Sequence, residues 1–180
     1  ETSQPYYNLA MDRFYKAAIL YKVDTIVRIT GDCPLIDPNT VDEVIKGFNK
    51  GNYDLYSLGG SFPDGLDCQV FSFKSALEVA WNNAVLPSER EHVCPYIENN
   101  PQLFNLGSLN KFPNSSSIRI TLDQKEDFKL IKKIYEHFYH SDTLFDIKSI
   151  IQFLVNNPEL LEINAGIVRN EGYYKSLTQD

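Results

Sequence analysis

The segment Arg28-Ile-Thr-Gly-Asp-Cys-Pro-Leu-Ile-Asp-Pro38 constrains the fold of this chain more than any other. Immediately upstream, Thr25-Ile-Val-Arg-Ile29 is a β-branched run suited to a buried, central strand, and Pro34 with Asp37-Pro38 marks the turn that follows. Asp32 is thereby placed just past the carboxyl end of a strand. In open α/β sheets ligands bind at that edge, because strand ends and helix starts leave free N–H groups and loops there. Asp37 can cap the next helix, with Pro38 at its first position.

Periodicity extends this beginning in both directions. Phe14, Ala17, Ala18 and Tyr21 recur at helical spacing before the strand at 24–30, and Val41, Val44, Ile45 and Phe48 mark the helix after it. Strands are expected at 53–58, 66–73, 104–109 and 118–121, with a loop over 59–65. Residues 75–84 read as helix, and Ser88-Glu-Arg-Glu91 as a capping box opening a helix that Pro95 kinks. Asp123-Gln-Lys-Glu126 is a second capping pattern, leading into a long helix with Phe128, Ile131, Tyr135 and Phe138 along one face. Ile147, Ile150, Ile151 and Leu154 form another helix before Pro158, and residues 163–180 carry no assignable pattern. Strands alternating with helices predict a largely parallel sheet covered on both faces.

At 180 residues and 43% hydrophobic, the chain suits one domain with one core. A net charge of −7 argues against a nucleic-acid surface, which needs clustered cations to neutralise phosphate. No apolar run approaches the roughly 20 residues needed to cross a bilayer, and no secretory signal pattern is present, so a cytoplasmic protein that meets neither membrane nor nucleic acid is the expectation. Cys33, Cys68 and Cys94 lack CxxC spacing and are odd in number, which favours reduced thiols over disulfides or zinc. The chain opens on Glu1 and its one methionine is Met11, so the sequence reads as part of something longer.

Two aspartates share a local grammar. Asp32 follows Ile29-Thr-Gly31 and Asp123 follows Arg119-Ile-Thr-Leu122, each at the end of an expected strand. On neighbouring parallel strands the two carboxylates would meet at one sheet edge and share a hard cation; Mg²⁺ takes one or two carboxylates plus phosphate oxygens and water. Spacing leaves Asp123 equally open to a plain N-cap role, and the two roles can coexist. Phe62-Pro-Asp-Gly-Leu-Asp67 sets Asp64 and Asp67 around Gly65, either a ligand-approaching loop or an ordinary turn. Arg90, Glu91 and His92 form a polar cluster at a helix start, able to hold an anionic group or simply to complete a cap. His137 and His140 near a helix end answer the helix dipole. There is no GxSxG, Walker loop or HExxH, and no aspartate pair of the glycosyltransferase type around Asp32.

Taken in order, Asp12-Arg-Phe-Tyr15, Val27 to Pro38, Phe62 to Asp67, Pro87-Ser-Glu-Arg-Glu-His-Val93, Pro95-Tyr96, Thr121-Leu-Asp123 with Glu126-Asp127, and Arg169-Asn-Glu-Gly172 resemble the cytidylyltransferases of bacterial surface-sugar synthesis. The resemblance is to the spore-coat-polysaccharide branch, related to acylneuraminate and 3-deoxy-manno-octulosonate cytidylyltransferases. It implies a Rossmann-like, three-layer α/β/α nucleotidyltransferase fold and a reaction in which a sugar hydroxyl attacks the α-phosphate of CTP and pyrophosphate leaves. It further implies Mg²⁺ on Asp32 and Asp123, nucleotide contacts from Thr30, Gly31 and Asp32, and a sugar pocket built from Asp64, Gly65, Asp67, Arg90, Glu91 and His92. Such chemistry asks for positioning and charge stabilisation more than for a nucleophilic side chain.

The chain departs from that family in three places. The basic opening loop, of the type Arg-x-x-Ser-x-Arg-Leu-Pro-Gly-Lys, does not occur in these residues, which implies absent first β-α units of about 60 residues. Gln124-Lys125 stands where relatives often carry an acidic residue and proline, and Gly59-Gly60-Ser61 where a bulkier polar loop is expected. Two other readings accompany the enzyme: a noncatalytic sugar-nucleotide-binding module and a glycosyltransferase of the same topology. Tyr135, Phe138 and Tyr139 suit a homodimer interface as readily as the core.

Overall fold

The computed structural model describes residues 9–113, 115–139 and 145–180. Helix α1 (Ala10–Tyr21) leads into strand β1 (Thr25–Ile29), helix α2 (Pro38–Lys50) into β2 (Leu55–Leu58), and β3 (Cys68–Ser72) follows directly. A π-turn at Phe73–Leu77 and α3 (Glu78–Asn83) supply the helix expected over 75–84. Two short helices, α4 (Pro87–His92) and α5 (Pro95–Glu98), precede β4 (Leu106–Leu109). Pro95 begins a separate helix here and does not kink a continuous one. The remainder is α6 (Lys125–Phe138), α7 (Ile147–Asn156), α8 (Pro158–Leu161) and α9 (Glu171–Ser176). His140 lies outside the described residues.

The sheet has the order β1-β3-β2-β4 and is mixed, not largely parallel. β2 and β4 are parallel, whereas β3 runs antiparallel to both β1 and β2. Residues 59–67 join β2 to β3 without a helix, and a parallel return needs a long crossover, so the chain comes back antiparallel. Alternation along the strands sorts the two faces. Cys68 and Val70 pack with Val44 of α2, while Leu55 and Phe71 pack with Met11 and Ala18 of α1 and Ala80 of α3. This is the three-layer α/β/α arrangement. β1 is an edge strand of the described sheet and not the buried central strand expected: α2 covers β2, β3 and β4, leaving Val27 40% and Ile29 46% exposed.

A second apolar cluster lies beside the sheet, where Leu130, Ile131 and Ile134 of α6 and Ile147, Ile150 and Leu154 of α7 enclose Phe62, Leu66, Ile118 and Ile120. The buried stripe of α6 is rotated from the expected one, with Phe128 58% exposed. Tyr135 and Phe138 join this cluster, and Tyr139 is exposed. The expected strand at 118–121 shrinks to one parallel bridge between Asp64 and Arg119.

The α2 start matches the sequence: the Asp37 carboxylate accepts from Thr40 N at 3.1 Å and Thr40 Oγ1 at 2.7 Å, with both residues buried. Asp37→Ala removes an acceptor from an interior cap, and a loss of about 1–2 kcal/mol in urea unfolding is expected.

Candidate active site

The loops after β1 and β2, α4, the residues before α6 and the start of α9 enclose a cleft of about 620 Å³, within the range of small-molecule sites. Thr30, Asp32, Asp64, Asp67, His92 and Asp123 all line it. The two aspartates of shared grammar are stitched together through backbone: Asp32 O accepts from Leu122 N at 2.8 Å and from Thr121 Oγ1 at 3.1 Å. The carboxylates themselves are held differently. Among the described residues that of Asp32 meets only the Cys33 thiol, at 3.7 Å, and the same Sγ lies 3.7 Å from an Asp67 oxygen. Burial, with the Asp32 charge nearby, raises the Asp67 carboxyl above its usual range against the pull of Arg169 and Arg28. Burial also pushes the Cys33 thiol up to about 12, so the group between the two carboxylates stays protonated.

Asp123 instead accepts from Arg119 Nη2 at 2.9 Å. Arg119 is the hub of the cleft wall: its Nη1 donates to Asp64 at 2.9 Å, and its Nε and Nη2 grip both oxygens of Asp127 at 2.9 Å each. Asn164 closes the set, donating to Arg119 O at 3.0 Å and to Asp127 at 2.8 Å. Burial disfavours both charges, yet the mutual hydrogen bonds hold Arg119 above and Asp127 below their ordinary values. Asp127 also accepts from the backbone N–H groups of Asp123 and Gln124. The cap of α6 is therefore one residue later than expected, with Gln124 at the N-cap and Asp123 free of that role.

Oxygen donors dominate the cleft, as a hard cation requires. Among the described residues no three His, Cys, Asp or Glu side chains already converge into a cation cage. The donor set thus fits an ion that takes one or two carboxylates and completes its shell with phosphate oxygens and water, the habit of Mg²⁺.

Other expected residues sit elsewhere. Arg90 is interior: its Nε donates to Ala84 O at 2.9 Å, its Nη1 lies 3.5 Å from Asp12, and its Cζ sits over the Trp81 ring, 5.8 Å from the centroid. Packing between α1, α3 and α4 takes it out of the cleft. Glu91 and Gly31 are exposed and do not line the cavity. The cap of α4 belongs to Leu86, whose N–H reaches Glu89 at 3.3 Å, so Ser88-Glu91 is no capping box. Ser88 binds Asp180 instead, through its N–H at 2.9 Å and its hydroxyl at 2.6 Å.

Gly65 acts through the backbone. It has φ +104° and a Cβ there would press on the backbone of Ile120 and Thr121, beside the Asp64–Arg119 bridge. Gly65→Ala combines left-handed strain with a backbone clash, and a loss of about 2–4 kcal/mol is expected in thermal or urea unfolding.

The unassigned tail proves to be a wall of the cleft, to which Glu171, Tyr173 and Lys175 contribute. His92 Nε2 lies 3.1 Å from Ser176 Oγ and its ring meets Tyr173 edge-on. Burial holds His92 below its usual 6.5. The folded protein then keeps His92 neutral where the unfolded chain is already protonated, so stability present above pH 6.5 is lost as pH falls towards the depressed value. A urea midpoint that declines across that window in the wild type, and is flatter in His92→Gln, is the expected result.

Sequence reasoning gave no role to Arg119, Asp127 or Asn164, although Arg119 and Asp127 stand in the motifs quoted above. The available signal was an arginine between Ile118 and Ile120 with aspartates four and eight positions on: a charge in an apolar run needs partners.

Residues 4–161 match the family model described as cytidylyltransferase. The chain is 41% identical over 165 residues to an uncharacterized protein of Methanocaldococcus jannaschii, covering 91% of this chain and 66% of that protein. It is 32% identical over 153 residues to the spore coat polysaccharide biosynthesis protein SpsF of Bacillus subtilis, covering 83% of this chain and 62% of the relative. A cytidylyltransferase structure from Leptospira borgpetersenii serovar Hardjo-bovis superposes with a TM-score of 0.78 at 30% identity, covering 91% of this chain and 66% of that one. This chain therefore spans just under two thirds of the length of these relatives. The mixed sheet between helical layers is a Rossmann-like nucleotidyltransferase fold, and the chain belongs to the cytidylyltransferase family.

Proposed function

We propose that the whole protein transfers CMP from CTP to the hydroxyl of a surface-polysaccharide sugar of the sialic-acid-like kind, releasing pyrophosphate. The observation that carries this reading is the joining of the Asp32 and Asp123 loops, through Leu122 N and Thr121 Oγ1, in the lining of a cleft of small-molecule size. Asp32 and Asp123 are the proposed holders of Mg²⁺, which when bound offsets charge on the phosphates. Arg119 fixes Asp123 while its other donors hold Asp64 and Asp127. Thr30 is the proposed nucleotide contact, and Asp64, Asp67 and His92 the proposed sugar-side groups. Location in the cytoplasm, where CTP is made, belongs to the same proposal.

Phosphorus NMR of the products formed by the full-length protein from CTP, Mg²⁺ and N-acetylneuraminate or 3-deoxy-manno-octulosonate tests the reading. A sugar phosphodiester appearing with pyrophosphate supports it. Release of a nucleoside diphosphate from a nucleotide-sugar donor supplied in place of CTP would mark a glycosyltransferase, and no nucleotide turnover with any sugar acid would leave a binding module.

A further inference from the structure

On the sheet face that carries α1 and α3, the cross-strand rows change character over two residues. Ile26, Phe71 and Leu55 form one row, apolar and under helical cover. The next row on the same face is Arg28, Gln69 and Ser57, all polar and all lining the cleft. Arg28 Nη1 donates to Gln69 Oε1 at 2.7 Å, and Gln69 Nε2 donates to Glu98 Oε1 at 2.9 Å. With both ends of its amide engaged, Gln69 fixes a guanidinium on one side and a carboxylate on the other.

The remaining cations near the cleft are committed. Arg119 holds three aspartates, Arg169 lies against Asp64 and two backbone carbonyls, and Lys175 is paired with Glu171 at 2.6 Å. Arg28 alone among the described cleft-lining cations makes no ion pair; one of its five N–H donors is used. A half-buried guanidinium with idle donors facing a cavity matches a carboxylate or phosphate, which it grips through two parallel hydrogen bonds. Arg28 also stands four residues before Asp32, a strand length of up to about 13 Å. That separation leaves room for a sugar ring between a group held by Arg28 and a phosphate near Asp32.

Resting on the transfer reading above, we propose that Arg28, set by Gln69, is the residue that selects the acceptor by binding its anionic group, with Glu98 and Ser57 receiving its hydroxyls. Acceptor choice then resides in this cross-strand row and not in Arg90 or Glu91. The anionic group is a carboxylate of a sugar acid or the phosphate of a sugar phosphate.

The test uses the full-length protein, CTP and Mg²⁺ with three acceptor probes: N-acetylneuraminate, glucose 1-phosphate and neutral N-acetylmannosamine. Pyrophosphate release gives the kinetic constants, and saturation-transfer NMR gives probe binding without turnover. Arg28→Gln is expected to raise the KM of an anionic probe by about tenfold or more while the KM of CTP stays within about twofold, with partial recovery in Arg28→Lys. Whichever anionic probe responds identifies carboxylate or phosphate as the group recognised. A rise confined to the KM of CTP, equal effects on the neutral probe, or anionic-probe binding indifferent to Arg28→Gln overturns the proposal. Wild-type protein that neither binds CTP nor releases pyrophosphate would sink the transfer reading, whereas the NMR arm still decides the Arg28 subsite.

Discussion

Arg119→Met is expected to destabilise the fold by about 3–5 kcal/mol, the range for removing one partner of a buried ion pair. Arg119 is 8% exposed and Asp127 0%, so the methionine leaves the Asp127 carboxylate with no water to take over. Among the described residues Asp127 would retain only Asn164 and two backbone donors, and Asp64 the more distant Arg169. Lysine is a poor replacement, since one ammonium cannot reproduce the planar fork that holds Asp64, Asp123 and Asp127 at once. Exposed helix pairs such as Lys46–Asp42 and Lys132–Glu136 provide the contrast, each worth at most about 0.5 kcal/mol. The sign with pH follows from Asp127. Its folded value lies below the ordinary 3.8, so its contribution is full above that pH and lost as pH falls through the folded value. Wild type and variant should therefore converge in strong acid. Urea unfolding at neutral pH checks the magnitude, and a cost under about 1 kcal/mol would mean the hub is not a unit.

Asp32→Asn is expected to have the opposite profile, lowering kcat of the full-length protein by about 10²–10³-fold while changing stability by no more than about 0.5 kcal/mol. The structural work of Asp32 is done by its backbone carbonyl, which asparagine retains, and among the described residues its carboxylate meets nothing but the Cys33 thiol. Charge at that point is thus free for the ligand. Asp123→Asn differs, because its carboxylate shares Arg119 and the substitution perturbs wall and site together. Comparing the two variants by pyrophosphate release and by urea midpoint separates a residue used for chemistry from one used for both.

Much of this arrangement was legible before any coordinates. Local rules with short reach carried well: the Asp37-Pro38 start of α2, the end of α7 before Pro158, and the placement of Asp32 beyond β1 all depend on neighbouring residues. Strand direction was legible only in part: β-branched runs announce strands without saying which way they pair, but the loop expected over 59–65 is already too short for a parallel crossover. Here the decisive fact was the helix-free return from β2 to β3. Capping patterns misled twice by one or two positions, since Ser88 serves Asp180 and Asp127 reaches back to Gln124. Arg90 read as a pocket residue from its polar neighbours, yet the partners that draw it inward, Asp12 and Trp81, are far away in sequence. The cross-strand row of Arg28, Gln69 and Ser57 was invisible for the same reason, because register between distant strands creates it.

Mg²⁺-dependent pyrophosphate release from CTP by the full-length protein, wild type beside Asp32→Asn and with a sugar-acid acceptor, tests the central claim most directly. Release that requires acceptor and metal and is lost in Asp32→Asn, with an unchanged urea midpoint, is the predicted result. Release unaffected by Asp32→Asn would contradict it.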